Sequence, residues 1–171
     1  IEDLNEKPIF MIGFPRSGTT LLDTILRSHP SIDVIEEKPL VKNLIIEMRK
    51  YTKNNIQYLK NIKNHEIQEL RKNYFEHRNK YISNTNDCEI IIDKMPLNII
   101  HIAEIIRVFP DAKFIVSLRH PYDCVLSCYM QSFKLNDAMS NFLNLKDTSN
   151  LYNQVMDLWT KYVEIFDLKY H

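Results

Sequence analysis

Of 171 residues only two are glycine, and both lie in one stretch, Gly13-Phe14-Pro15-Arg16-Ser17-Gly18-Thr19-Thr20. An average protein carries ~7% glycine, so a chain that has drifted away from it elsewhere keeps it where no side chain fits. The stretch follows a short apolar run and leads into a helical pattern. A loop so placed turns successive backbone N–H groups inward at a helix N-terminus and grips a phosphate or sulfate through fixed partial charges and the helix dipole. Arg16, Ser17, Thr19 and Thr20 add side-chain donors. A plain glycine turn capped by Ser17 is the competing reading, and the absence of glycine from the rest of the chain weighs against it.

The two glycines are spaced as in a nucleotide-binding P-loop, but Thr19 stands where the phosphate-binding lysine belongs. Without that lysine, and without an obvious acidic Walker-B partner, the loop suits a metal-free anion better than magnesium-assisted chemistry on a γ-phosphoryl group. A second anion site is spelled out at Arg119, Pro121 and Ser127. Proline at the first helical position leaves the N-terminal N–H groups facing outward, beside an arginine at a strand end. Taken alone, that block reads equally as a helix cap with Arg119 paired to Asp123. Glu36-Glu37 and Lys94 also fall at strand ends, where by themselves they read as solvated charges. The six histidines show no metal-ligand spacing and receive no role.

These residues need a frame. The runs at 8–12, 32–35, 89–93 and 113–118 are short, apolar and punctuated, as buried parallel strands are. Helical spacing predicts a helix over 19–28, another opened by Pro39, a strongly apolar one over 97–109, one after Pro121, and a last one through Leu151, Val155, Trp159, Tyr162 and Phe166. In the helix after Pro121 the stripe Tyr122, Val125, Leu126, Tyr129 and Met130 is the predicted packed face. Residues 40–86 lack glycine and proline and read as a helical hairpin or cap. Alternating strands and helices imply an α/β fold with a parallel sheet between helical layers and a ligand crevice at the carboxyl ends of the strands. Gly13, Glu37, Lys94 and Arg119 all sit there.

A chain of this length fits a single domain over 1–171, with 40–86 as an insert or cap on the acceptor side. Lysine plus arginine equal aspartate plus glutamate, 22 of each, so no global field draws it to nucleic acid or an anionic membrane. No stretch approaches the roughly 18 apolar residues of a membrane helix, and the first residues have neither the basic start nor the apolar core of a signal peptide. Cys88, Cys124 and Cys128 are odd in number and lack a CxxC spacing, which favours a reduced, cytoplasmic setting over a disulfide framework.

Three blocks in order, Pro15-Arg16-Ser17-Gly18-Thr19-Thr20, Asp93-Lys94-Met95-Pro96-Leu97-Asn98 and Arg119-His120-Pro121-Tyr122-Asp123-Cys124-Val125-Leu126-Ser127-Cys128-Tyr129, resemble the sulfotransferase superfamily. The likeness is to bacterial sulfotransferases of the tetratricopeptide-associated type, related to the protein-tyrosine sulfotransferases. It implies a donor, 3'-phosphoadenosine 5'-phosphosulfate, its product 3',5'-adenosine bisphosphate, no metal, and an acceptor hydroxyl on a tyrosine, sugar or small molecule. It assigns residues 15–20 to the 5'-phosphosulfate and Arg119 and Ser127 to the 3'-phosphate. Lys94 and Arg16 fall to the leaving group, and Glu37 to the general base, with Glu36 pointing elsewhere. Pro96 stands where the familiar cytosolic enzymes carry a histidine, so a histidine base at that point is excluded. The resemblance also implies a core cut short at its C-terminal end, stopping before a further strand and leaving a sheet edge open to a second copy. A P-loop nucleotide kinase or NTPase, with its missing cation supplied elsewhere, and a non-catalytic nucleotide-binding module remain the alternatives.

Overall fold

Each punctuated apolar run becomes a parallel strand. The computed structural model describes residues 6–52, 55–82, 88–134 and 136–171. Its strands are β1 (Ile9–Gly13), β2 (Ile32–Glu36), β3 (Ile90–Lys94), β4 (Lys113–Ser117) and β5 (Lys169–Tyr170), in the order β2-β3-β1-β4-β5. All pairings are parallel. The helices are α1 (Thr19–Arg27), α2 (Leu40–Thr52), α3 (Asn64–Asn79), α4 (Ile102–Val108), α5 (Pro121–Met130) and α6 (Leu145–Ile165), with short 3-10 turns between some of them.

Strand alternation sorts the side chains between two layers. Phe10, Ile12, Ile35 and Phe114 face a large core closed by α2 to α6, while Met11, Val34 and Ile92 face a smaller one closed by Leu22 and Leu26 of α1. The same alternation sends the neighbours Asp93 and Lys94 to opposite faces. Tyr74 of α3 donates to Asp93 Oδ2 at 3.0 Å, whereas Lys94 Nζ lies 3.8 Å from Asp23 of α1. Burial pushes the Asp93 carboxyl up to about 7.

Three expectations change. The predicted helix over 97–109 is divided: residues Pro96–His101 form a 3-10 turn and only Ile102–Val108 is α-helical. Pro96 cannot donate to a preceding turn, and the buried Asn98 N–H closes on Met95 O instead. The predicted packed stripe of α5 is mostly outside, with Tyr122 80% and Met130 74% exposed. The helix buries Cys124, Val125 and Cys128, since small thiols let it lie close to the glycine loop. The chain also forms a strand where the open edge was expected. His171 N donates to Phe114 O at 3.0 Å and Val116 N to His171 O at 2.8 Å, which extends β5 along β4.

The helical reading of 40–86 appears as α2, a 3-10 turn and α3 packed together on the large-core face. Its parts at 53–54 and 83–86 lie outside the described residues. Among the described residues no helix is long and apolar enough to cross a membrane.

Candidate active site

The loop between β1 and α1 is fastened from below. Ser17 N–H donates to Phe14 O at 3.1 Å, and Ser117 Oγ at the end of β4 donates to Ser17 O at 2.9 Å. The Cys128 thiol, which burial pushes up to about 12 and so keeps protonated, donates to Pro15 O at 3.3 Å. Arg119 Nη1 donates to Arg16 O at 3.3 Å. The third sequence block, with Ser117 before it, is thus the floor of the first. A Cβ on Gly13 would meet Ser117 O at 2.7 Å and Ser17 Oγ at 2.8 Å, which explains the first glycine; Gly18 has φ +103°, which explains the second.

One atom of this floor is left over. Ser17 is buried, and its Oγ meets no hydrogen-bond partner among the described residues. A buried hydroxyl without a partner costs about 1–3 kcal/mol. Beside it the first turn of α1 presents N–H groups that have no intrahelical acceptor. An anion above the loop satisfies those N–H groups, and with Arg16, Thr19 and Thr20 lining the same space the residues present fit a bound phosphosulfate. Arg16, at φ 67°, directs its guanidinium to Ser127 of α5, with Nε 3.0 Å from the hydroxyl, and so bridges the two anion sites read from the sequence. Arg119 is 3.5 Å from Asp123, the pairing anticipated for a helix cap.

The charged cluster is set by sheet register. Glu36 is aligned with Lys94 across β2 and β3. Lys94, with 0% exposure, brings its Nζ to 2.7 Å from Glu36 Oε1, 3.5 Å from Glu37 Oε1 and 3.8 Å from Asp23 Oδ2. Asp23 is itself buried and pairs with Arg27 one turn on. The Lys94 hydrogen bond holds the Glu36 carboxyl below its usual range. Glu36 therefore does not point elsewhere, as the sequence reading had it; register makes it the nearest partner of Lys94. Glu37 follows with φ 49°, a left-handed conformation that costs a non-glycine residue about 1–2 kcal/mol. Its N–H donates to Lys94 O at 2.8 Å. Strain of this kind gathers at functional sites, and here it turns the side chain out of the sheet line toward the loop.

A cleft of about 370 Å³ opens at these strand ends. Pro15, Arg16, Gly18, Thr19, Thr20, Glu37 and Arg119 line it, seven of the predicted residues in one place. Three others stand behind the wall: Ser17 beneath the loop, Lys94 beneath the glutamates, and Ser127 half-buried and reached through Arg16. Met95, Pro96, Leu97, Phe133 and Met139 complete the lining. Among the described residues, none of those lining it belongs to 40–86. The sequence reading missed Asp23, Ser117, Phe133 and Met139. Asp23 looked like the polar side of an amphipathic helix, and Phe133 and Met139 fall in a stretch with no periodicity to mark them. Chemically the cleft offers amides, hydroxyls and guanidinium groups to a polyanion on one wall, and a carboxylate able to take a proton beside them. Among the described residues no group of three or more His, Cys, Asp and Glu side chains is arranged to hold a metal ion; the three carboxylates that do converge already surround Lys94.

Comparison with known proteins agrees with this architecture. The chain is 29% identical over 176 residues to an uncharacterized protein of Aquifex aeolicus, an alignment that takes in 97% of this chain and 23% of that protein. The chain thus spans about a quarter of the length of that curated relative. Its fold is similar to the crystal structure of sulfotransferase STF9 from Mycobacterium avium, with a TM-score of 0.55 and 18% identity over 96% of this chain and 58% of that one. It is likewise similar to a sulfotransferase from Alicyclobacillus acidocaldarius, with a TM-score of 0.54 and 15% identity over 96% of this chain and 72% of that one. The sulfotransferase family pattern matches residues 8–171, and with strand order, loop and flanking blocks in agreement, the chain belongs to the sulfotransferase family.

Proposed function

We propose that the protein transfers a sulfuryl group from 3'-phosphoadenosine 5'-phosphosulfate to an acceptor hydroxyl, without a metal. The observation that carries this reading is the shared cleft, in which the loop, Arg119 and Glu37 line one space. The donor, when bound, supplies an activated sulfuryl group on a good leaving group. Residues 15–20 hold its 5'-phosphosulfate, with the Thr19 and Thr20 hydroxyls and the α1 N-terminus as donors. Arg119 and Ser127 hold the 3'-phosphate. Glu37 takes the proton of the acceptor hydroxyl as its oxygen bonds to sulfur, a service worth roughly 10²- to 10⁴-fold in rate. Arg16 and Lys94 stabilise the negative charge that develops on the bridging oxygen as its bond to sulfur breaks. Lys94 acts from beneath, fixed by Glu36 and Asp23, so its charge is positioned before the reaction rather than recruited during it.

Glu37→Gln tests the assignment. The amide cannot accept the proton, yet it is nearly isosteric and leaves the loop untouched. Turnover with a competent acceptor should fall roughly a hundredfold or more, while affinity for 3',5'-adenosine bisphosphate stays within about twofold of the parent. Unchanged turnover removes Glu37 as the base.

A further inference from the structure

The cleft has two unlike walls. The phosphate-loop part of the lining is polar and cationic; the apolar wall is built from Met95, Pro96, Leu97, Phe133 and Met139. These five side chains offer no hydrogen-bond donor and no acceptor stronger than a thioether. All five are half-buried. The wall is also anchored. Phe133 packs on Phe142 with ring centroids 5.2 Å apart, Phe142 on Phe14 at 5.9 Å, and Phe14 on Tyr152 at 4.9 Å, which runs the contact into the core. Met139 is set by a turn in which Asn136 Oδ1 accepts from the N–H groups of Ala138 and Met139. The apolar part of the lining therefore belongs to the folded frame and shares the cleft with the Glu37 carboxylate.

Resting on the sulfotransferase reading above, we infer that this wall is the acceptor subsite and that the acceptor is an aromatic hydroxyl, a phenol. Two independent arguments converge. A sugar laid against the wall loses water from several hydroxyls and finds no side-chain partner there, whereas an aromatic ring gains from apolar contact along the same surface. Second, a carboxylate is a weak base, and a phenol with pKa about 10 gives up its proton far more readily than an aliphatic alcohol does. The reaction balances: the phenolic oxygen bonds to sulfur, the bond from sulfur to the bridging oxygen breaks, the bisphosphate leaves with that electron pair, and the phenolic proton goes to Glu37.

The test uses the full chain with the phosphosulfate donor and three acceptors: 4-nitrophenol, a short tyrosine-containing peptide, and methyl glucoside. Calorimetry with 3',5'-adenosine bisphosphate runs beside it. At least one phenolic acceptor should exceed the glucoside in kcat/KM by roughly a hundredfold, and the better of the two tells a small-molecule phenol from a tyrosyl group. Met139→Gln, at a half-buried position, should raise KM for that phenol roughly tenfold and leave bisphosphate affinity unchanged; Phe133→Leu should do so more weakly. Equal or better transfer to the glucoside overturns the inference. Bound bisphosphate with no transfer to either phenol overturns it too, while leaving the donor site standing. Absence of bisphosphate binding removes the underlying function and the acceptor class together.

Discussion

Asp93 gives a prediction whose size follows from the fold. Its carboxyl is buried, has one oxygen bonded to Tyr74 and leaves Oδ1 without a partner among the described residues. Burial raises it from an ordinary value of 3.8 to about 7. At 1.36 kcal/mol per tenfold, ionising it in the fold costs about 4 kcal/mol more than in the unfolded chain. The sign follows: between pH ~4 and ~7 the unfolded chain has released this proton while the fold keeps it, so stability falls as pH rises through that window and levels off above it. Between pH 5 and pH 8 the loss from this group is about 3 kcal/mol. Asp93→Asn carries no charge, so the loss should vanish, against a constant cost of about 1–3 kcal/mol for the new amide donor. Urea unfolding of both proteins at pH 5 and pH 8 measures this. The variant's stability relative to the parent should improve by about 3 kcal/mol at the higher pH, because the other carboxylates are common to both and cancel. Parallel pH dependences would refute the reasoning and place an ionised carboxylate under α3.

Gly13→Ala should destabilise the protein by about 1–3 kcal/mol and weaken 3',5'-adenosine bisphosphate more than tenfold, since its methyl group collides with the Ser117 carbonyl and displaces the loop; denaturant midpoints and calorimetry report the two effects. Arg119→Ala should change stability by no more than about 0.5 kcal/mol, its pairing with Asp123 being exposed. The same change should cost about 1.5–3 kcal/mol in bisphosphate affinity, and an unaltered affinity would put the 3'-phosphate elsewhere. Asp23→Ala strips a buried partner from Arg27 and Lys94 and should cost up to about 3 kcal/mol in urea unfolding, with Glu36 limiting the loss.

The strands and the loop were readable because local chemistry dictates them. Apolar runs ending at Gly13 or Lys94 can only be short and buried, and both glycines are explained by backbone geometry that no other residue supplies. What escaped reading depends on contacts between distant parts of the chain. Asp23 and Glu36 acquire meaning only when α1 and β2 close around Lys94. In α5, helical spacing pointed to the large side chains, yet the face that packs is the one with two thiols, because the loop beneath leaves no room for more. The wall of Phe133 and Met139 is assembled by aromatic contacts to Phe142 and Phe14, which no local pattern announces.

The central claim is that residues 13–20 bind a doubly charged nucleotide anion unaided by metal. Calorimetry of 3',5'-adenosine bisphosphate in the presence of a chelator, set against ATP with magnesium, tests it most directly. The bisphosphate should bind without the metal and more than roughly tenfold tighter than ATP, a gap of about 1.4 kcal/mol or more. Equal affinity for the two, or binding of the bisphosphate only when magnesium is added, would contradict the account.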